Sequence, residues 1–169
     1  MKIFEFHAFI TFIAALLVTS MTAFAAPHPE KIVLVVSSFG TDNVLRYNRK
    51  TGEFIDVFAS GGGLDGPGGI VFGPDDNLYI GSEENDSVLR YNGVTGAFID
   101  VFASGGGLGI PEGLVFGPDG NLYITSIATN DVKRYDGETG EFIGVFASGG
   151  GLSVPALGLT FFHGKKIKN

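Results

Sequence analysis

The residues best suited to chemistry in this 169-residue sequence are carboxylates in short polar segments between apolar ones. They are Asp42, Asp65, Glu83, Glu84, Asp86, Glu112 and Asp131. Glu112 differs from the rest because the equivalent positions of an internal repeat hold Gly68 and Ala156. Carboxylate oxygens suit Ca²⁺ or Mg²⁺. A metal site with Glu112 as its one candidate ligand, most simply for calcium, is therefore one interpretation, and a solvated loop carboxylate is the other.

Nucleophilic catalysis has little support in the sequence. The chain has no cysteine, and its three histidines are His7, His28 and His163. No serine lies in the strand–turn–helix setting of a nucleophile elbow. The Ser-Gly-Gly-Gly segments are interpreted as linkers, because no helix follows them to bind phosphate. The sequence favours a protein that is not an enzyme and needs no cofactor, with calcium as the exception considered above.

These residues are set in a repeat of 44 residues. Its two best-preserved segments are Val-Leu-Arg-Tyr and Phe-Ile-Asp-Val-Phe-Ala-Ser. The first segment begins at Val44, Val88 and Val132, and the second begins at Phe54, Phe98 and Phe142. The last copy departs from the two segments at Lys133 and Gly144. A period of about 40–45 residues with several short strands is typical of β-propeller blades. An all-β fold of four-stranded antiparallel meanders is therefore predicted.

The repeat divides residues 33–162 into about three blades. Residues 67–104 and 111–148 form complete units, whereas residues 33–60 supply only strands two to four of a blade. Residues 155–162 supply one more inner strand. In the middle unit, strands are predicted over 69–72, 77–81, 87–91 and 97–102, with turns rich in Gly, Pro, Asp and Asn between them.

The blade sequence resembles a known family. Gly-Pro-Asp-Gly-Asn-Leu-Tyr-Ile at 117–124, with Val-Leu-Arg-Tyr and Thr-Gly-x-Phe, is similar to the NHL-type repeats of secreted bacterial β-propellers. More distantly, residues 31–162 resemble lactonase propellers of the gluconolactonase/regucalcin type and streptogramin lyases. The lactonase resemblance implies a divalent cation held by a Glu comparable to Glu112, in a metal-dependent hydrolase. The lyase resemblance implies paired histidines with a Glu, a set this sequence does not contain.

The blade that is split between the two chain ends has two interpretations. Three blades are too few for a ring, because propellers typically have about 4–8. In one interpretation, two chains form a homodimer with a six-bladed ring, and each closing strand over 155–162 completes its partner's blade at 33–60. In the other, the chain is a partial propeller, a fragment of a longer repeat protein without activity of its own.

Comparison of the repeats separates two faces. The turns after strands one and three are nearly identical in every unit, whereas the loops after strand two and the crossovers between blades differ. Variable loops on a rigid scaffold suit ligand binding. The binding residues predicted on this face are Asp42, Asp65, Asn85, Asp86, Glu112 and Asn130. For Asp42, Asp86 and Asn130, which recur just before strand three, a loop cap is the alternative role.

A further recurrent feature is the arginine of Val-Leu-Arg-Tyr. Arg46 and Arg90 are predicted to pair with Asp56 and Asp100 on the neighbouring strand. Such a repeated ion pair indicates a structural role.

The N-terminal segment has the pattern of an export signal. Lys2, an apolar stretch over 8–18 and Ala23-Phe24-Ala25 predict a signal peptide over 1–25, with an uncleaved anchor as the alternative. Residues 26–32 are predicted to be a short linker, and residues 163–169 a solvated basic tail.

Charge and composition narrow the partners. A net charge of −7 argues against nucleic acid and anionic membrane surfaces. A secreted or periplasmic bacterial protein without disulfides is predicted, with no membrane association once the signal is removed. Its expected partner is a protein or a small polar or carbohydrate ligand, bound by a non-catalytic scaffold.

Overall fold

Three antiparallel β-sheets make up the computed structural model, which describes residues 32–163. The strands are β1 Val33–Ser38, β2 Asn43–Asn48, β3 Phe54–Ser60, β4 Pro67–Phe72, β5 Leu78–Ser82, β6 Ser87–Tyr91, β7 Phe98–Ser104, β8 Pro111–Phe116, β9 Leu122–Ser126, β10 Asp131–Tyr135 and β11 Phe142–Ser148. We call the sheet β1–β3 blade 1, the sheet β4–β7 blade 2 and the sheet β8–β11 blade 3. The predicted all-β fold of antiparallel blades is confirmed.

Some predictions concern residues that the structure does not describe. The signal peptide over 1–25, the linker up to residue 31 and the basic tail from residue 164 lie outside the described residues. They stay predictions. Within residues 32–163, no helix is long and apolar enough to cross a membrane.

The strand boundaries differ modestly from those predicted. In blade 2 the inner strand begins at Pro67, because Pro67 pairs with Ser82. The register of this pairing shifts between Pro67 and Ile70. The outer strand continues to Ser104, which is paired with Ser87. A 3₁₀ turn over Glu83–Asn85, which the sequence did not predict, leads into the third strand.

The Gly-Pro-Asp turns are fixed by their own side chains. Asp75 Oδ1 accepts the backbone N–H of Asn77 at 3.1 Å, and Asp75 Oδ2 accepts the Asn77 amide at 2.7 Å and the Tyr79 hydroxyl at 3.0 Å. Burial acts to raise the pKa of Asp75, but these hydrogen bonds outweigh it and lower the pKa overall. The same bonds recur in blade 3 around Asp119. Local chemistry therefore explains why this turn is repeated.

Aromatic residues fill the space between blades. Tyr79 makes edge-to-face contacts with Phe102, at a centroid distance of 4.8 Å, and with Phe116 of the next blade, at 5.0 Å. One buried apolar cluster lies between blades 1 and 2, and a second lies between blades 2 and 3. Large aromatic surfaces in this arrangement dominate the packing energy of such a core.

Buried tyrosines also attach blades 2 and 3 to the crossovers that precede them. The Tyr91 hydroxyl donates to the carbonyl oxygen of Gly61 at 2.6 Å, and that of Tyr135 donates to Gly105 at 2.8 Å. Burial raises the pKa of both phenols to about 12. Both side chains are thus neutral donors at physiological pH.

Residues 155–162 follow blade 3 without joining a sheet. They were predicted to form a closing inner strand, but in the single chain they have no strand assignment. A strand requires a partner edge, and the described chain offers none beside them. Their pairing with a second chain stays a prediction.

Candidate functional site on the loop face

The variable loops and the crossovers lie together on one face of the blades, as predicted. Hydrogen bonds join them: Asn85 donates to the Gly63 carbonyl, and the N–H of Gly66 donates to Asp42 Oδ1 at 2.9 Å. We call this surface the loop face. It comprises residues 38–42, 61–66, 82–86, 105–110, 126–130 and 149–154, together with the inner-strand residue Glu112. The opposite surface, formed by the repeated turns, is called the turn face.

A pair of carboxylates is the main electrostatic feature of the loop face. Glu112 Oε2 is buried and has no hydrogen-bond partner among residues 32–163. Glu83, half-buried on the adjacent blade, lies close enough for the two charges to interact. Burial, and then the charges of Glu112 and Glu84, raise the pKa of Glu83. Burial thus disfavours the charged form of Glu83, and within residues 32–163 neither carboxylate forms an ion pair with a basic side chain.

The repeat accounts for where this pair lies. Gly68 of blade 2 occupies the position equivalent to Glu112, and a Cβ added there would lie 2.3 Å from Glu83 Oε1. Glu83 therefore uses the space that a side chain at residue 68 would need. The sequence singled out Glu112 by its departure from the repeat, but it did not predict that Glu83 of another blade would lie beside it.

The recurrent Asp and Asn residues before the third strand serve as inter-blade clamps. Asp42 accepts the N–H of Gly66, Asp86 that of Ile110 at 2.9 Å, and Asn130 that of Val154 at 2.7 Å. In each case the donor lies in the following crossover, 24 residues along the chain. The three residues adopt φ of 53°, 51° and 52°, a left-handed conformation that Asp and Asn tolerate. They were predicted to cap their own loop or bind a ligand, and the structure gives them long-range backbone bonds.

Asn85 and Asp65 lie in the same network. The Asn85 amide donates to Gly63 and also to Ser82 Oγ, at 3.2 Å. The buried Ser82 hydroxyl accepts the N–H of Asp65 and donates to its carbonyl, each at 3.0 Å. The Asp65 side chain is exposed on the loop face, so it is free to meet a ligand, whereas the Asn85 amide is engaged with the crossover.

A buried ion pair lies next to this network in blade 3. Lys133 Nζ contacts Asp131 Oδ2 at 3.1 Å, and the Lys133 side chain is only 2 % exposed. Thr129 donates to Asp131 Oδ1 at 2.8 Å. The preceding blade has the neutral residues Ser87 and Leu89 at the two equivalent positions. Their joint departure from the repeat was the sequence signal for this pair.

Metal binding finds no support in a ligand cluster. Among residues 32–163, no group of three or more His, Asp or Glu side chains is arranged to hold a metal ion. Glu112 and Glu83 supply two carboxylates, whereas Ca²⁺ takes about 6–8 oxygen ligands. Calcium at Glu112 stays a prediction.

The turn face carries a different polar network. Arg90 binds both oxygens of Asp100, at 3.1 and 2.6 Å, and Arg46 binds those of Asp56, at 2.7 and 2.6 Å, which confirms the predicted pairs. A cleft of about 330 Å³ beside Arg90 was not predicted. It is lined by Pro74, Asp75, Tyr79, Arg90, Gly137 and Glu138. Because its arginine is already satisfied by Asp100, we regard the cleft as a consequence of blade packing.

Comparison with known proteins supports the fold. The sequence matches no protein-family model and no curated protein. Virginiamycin B lyase from Staphylococcus aureus is similar in structure, with a TM-score of 0.56 and 18% identity over 78% of this chain and 46% of the lyase chain. A catalytically inactive histidine-to-alanine variant of that lyase with quinupristin aligns over the same shares, with a TM-score of 0.58 and 17% identity.

Hydrazine synthase from Kuenenia stuttgartiensis is also similar, with a TM-score of 0.55 and 20% identity over 67% of this chain and 32% of that chain. This chain thus spans less than half of the length of each of these three solved structures. At such identities the likeness supports a propeller-like fold.

Proposed function

We propose that this protein is an exported bacterial β-propeller of the NHL type that acts as a non-catalytic binding scaffold through its loop face. The NHL assignment rests on the resemblance of the Gly-Pro-Asp-Gly-Asn-Leu-Tyr-Ile and Thr-Gly-x-Phe segments. Export rests on the pattern of residues 1–25. The binding role rests on one observation: Glu112 Oε2 is buried, without a hydrogen-bond partner in the described part of the chain, and its charge interacts with the carboxylate of Glu83.

The chemistry of this pair selects the ligand class. Two crowded carboxylates accept hydrogen bonds and attract positive charge, so their complement is a group rich in donors. A lysine or arginine side chain of a protein partner has this character, as do the hydroxyl groups of a carbohydrate. A buried carboxylate oxygen that has no partner within the described residues carries an unmet desolvation cost, which such a ligand would offset on binding.

The scaffold role predicts that Glu112→Gln weakens ligand binding. Charge-assisted hydrogen bonds contribute about 1.5–3 kcal/mol, so we expect affinity to fall about 10- to 100-fold. Arrays of glycans and of basic peptides would supply the probes, and titration calorimetry of the strongest would give the affinity. Glu138→Gln, an exposed glutamate of the turn face, is the matched control and should leave affinity unchanged. Equal affinity of Glu112→Gln and the wild type would contradict the assignment.

A metal-dependent hydrolase is the second candidate, favoured by the proximity of Glu83 and Glu112. The same calorimetry with Ca²⁺ separates it from the scaffold. A calcium heat that Glu112→Ala abolishes, together with metal-dependent hydrolysis of simple lactones, would favour the hydrolase. The scaffold proposal predicts neither result.

A further inference from the structure

The N-terminal edge of the blades exposes residues that the repeat buries elsewhere. Leu34 of β1 is 54% exposed, whereas its equivalents Leu78 and Leu122 are fully buried. Val36 is likewise more exposed than its fully buried equivalents. β1 has only β2 as a hydrogen-bonding neighbour, so its other edge is unpaired in the described chain. A long apolar strand edge of this kind is a template for pairing with another strand.

The C-terminal side of blade 3 also exposes an apolar side chain that the repeat buries elsewhere. Phe146 is 53% exposed, whereas its equivalent Phe102 is 6% exposed beneath the following blade. Leu157 and Phe162, in the segment after blade 3, are also well exposed. The surface of blade 3 that would contact a following blade is therefore apolar and partly exposed.

Residues 154–161 already occupy the place of the next inner strand. Phe161 packs edge-to-face on Tyr123 at 4.9 Å, which repeats the contact of Phe116 with Tyr79 at 5.0 Å. The N–H of Val154 bonds to Asn130, as that of Ile110 bonds to Asp86. The segment thus begins a fourth blade whose other three strands are not in the described chain.

Glycines at the two ends mark matching empty positions. A Cβ at Gly96 would lie 1.7 Å from the carbonyl oxygen of Phe58 on the preceding blade, whereas no atom of the described residues lies within 4 Å of a Cβ at the equivalent Gly52. A Cβ at Gly106 would collide with Phe142 of the next blade, and nothing lies within 4 Å of the equivalent Gly150. In the described chain, the position beside Gly52 is therefore empty where a preceding blade would pack, and the position beside Gly150 is empty where a following blade would pack.

We infer that the partner of these two edges is a second copy of the chain, and that two copies close a six-bladed ring. Residues 155–161 of each copy become the inner strand of the other copy's blade 1. The register follows from blade 2, where Phe72, Val71 and Ile70 pair with Leu78, Tyr79 and Ile80. By that template Phe161, Thr160 and Leu159 lie opposite the partner's Leu34, Val35 and Val36, respectively.

Closure with two copies is favoured by the number of blades. A head-to-tail interface forms either a closed ring or an open filament. Two copies of residues 33–161 supply six blades, which is within the usual range of about 4–8, whereas one copy of them closed on itself would supply three. The exposed side chains at the two ends, among them Leu34, Val36, Phe146 and Leu157, are apolar, as are those packed between blades 1 and 2.

Disulfide trapping tests the inference, because the native chain has no cysteine and therefore no background. Val35→Cys and Thr160→Cys would be introduced in separate full-length chains, mixed and oxidised. Directly opposed strand residues suit a disulfide. We expect a reducible dimer that contains one chain of each kind. Val35→Cys mixed with Val94→Cys, an exposed turn position, should give little product.

The chain that carries both substitutions distinguishes the other outcomes. Two-copy closure predicts a covalent dimer with both bonds formed. A bond within one chain, a ladder of larger species, or the absence of a bond in chains that circular dichroism shows to be folded would each overturn the inference.

Discussion

Gly96→Ala is expected to lower the free energy of unfolding by more than about 4 kcal/mol, the range in which a single change is exceptional. A Cβ at this position would lie 1.7 Å from the Phe58 carbonyl oxygen and 2.7 Å from its carbon. Both atoms belong to the backbone of the neighbouring blade, so relief requires the two blades to separate. Urea unfolding followed by circular dichroism would measure the loss.

The matched control isolates this contact from backbone strain. Gly105 has the same φ of +72° as Gly96, but nothing lies within 4 Å of its Cβ position. In Gly105→Ala the alanine must therefore adopt the left-handed conformation but meets no neighbouring atom of the described residues. That conformation costs about 1–2 kcal/mol. Similar losses for the two variants would show that blade contact does not explain the Thr-Gly segment of the repeat.

Lys133→Leu is expected to destabilise the protein by about 3–5 kcal/mol, because it leaves the buried Asp131 carboxylate without its partner. Asp131→Ser together with Lys133→Leu restores the residues found in blade 2. Replacement of a buried ion pair by neutral residues is often neutral or stabilising. The free energy of unfolding of the double variant should therefore lie within about 1 kcal/mol of that of the wild type or exceed it.

The comparison of single and double variants decides what the pair does. The midpoints of denaturant unfolding at neutral pH are sufficient for this comparison. The dependence of the unfolding free energy on denaturant concentration must be the same in each variant. A single variant as stable as the wild type would mean that Asp131 is solvated in spite of its burial. A double variant as unstable as the single one would assign Lys133 a packing role that leucine cannot supply.

The blades could be predicted because their determinants are local and repeated. The turn around Asp75 is specified by Asn77 and Tyr79, within four residues, and the same residues recur around Asp119. The arginine pairs were predictable for a similar reason, since Arg46 and Asp56 lie ten residues apart on adjacent strands. Periodicity and short-range chemistry were sufficient for these features.

The loop face was harder to predict because its contacts join different blades. Asp42 was assigned as a cap or a ligand, but its partner Gly66 lies in the next crossover. Glu83 and Glu112 come from different blades, and no local spacing relates them. The angle between blades brings these residues together, and the repeat does not encode that angle directly.

The mass of the protein in solution tests most directly whether the chain is half of a closed ring. Size-exclusion chromatography with light scattering on protein expressed from the full coding sequence should give twice the mass of one chain. Gly52→Ala should give the mass of one chain with unchanged circular dichroism, because its Cβ position has no neighbour among residues 32–163 of one chain but would face the partner's blade 3 in the ring. A folded wild type with the mass of one chain would contradict the account.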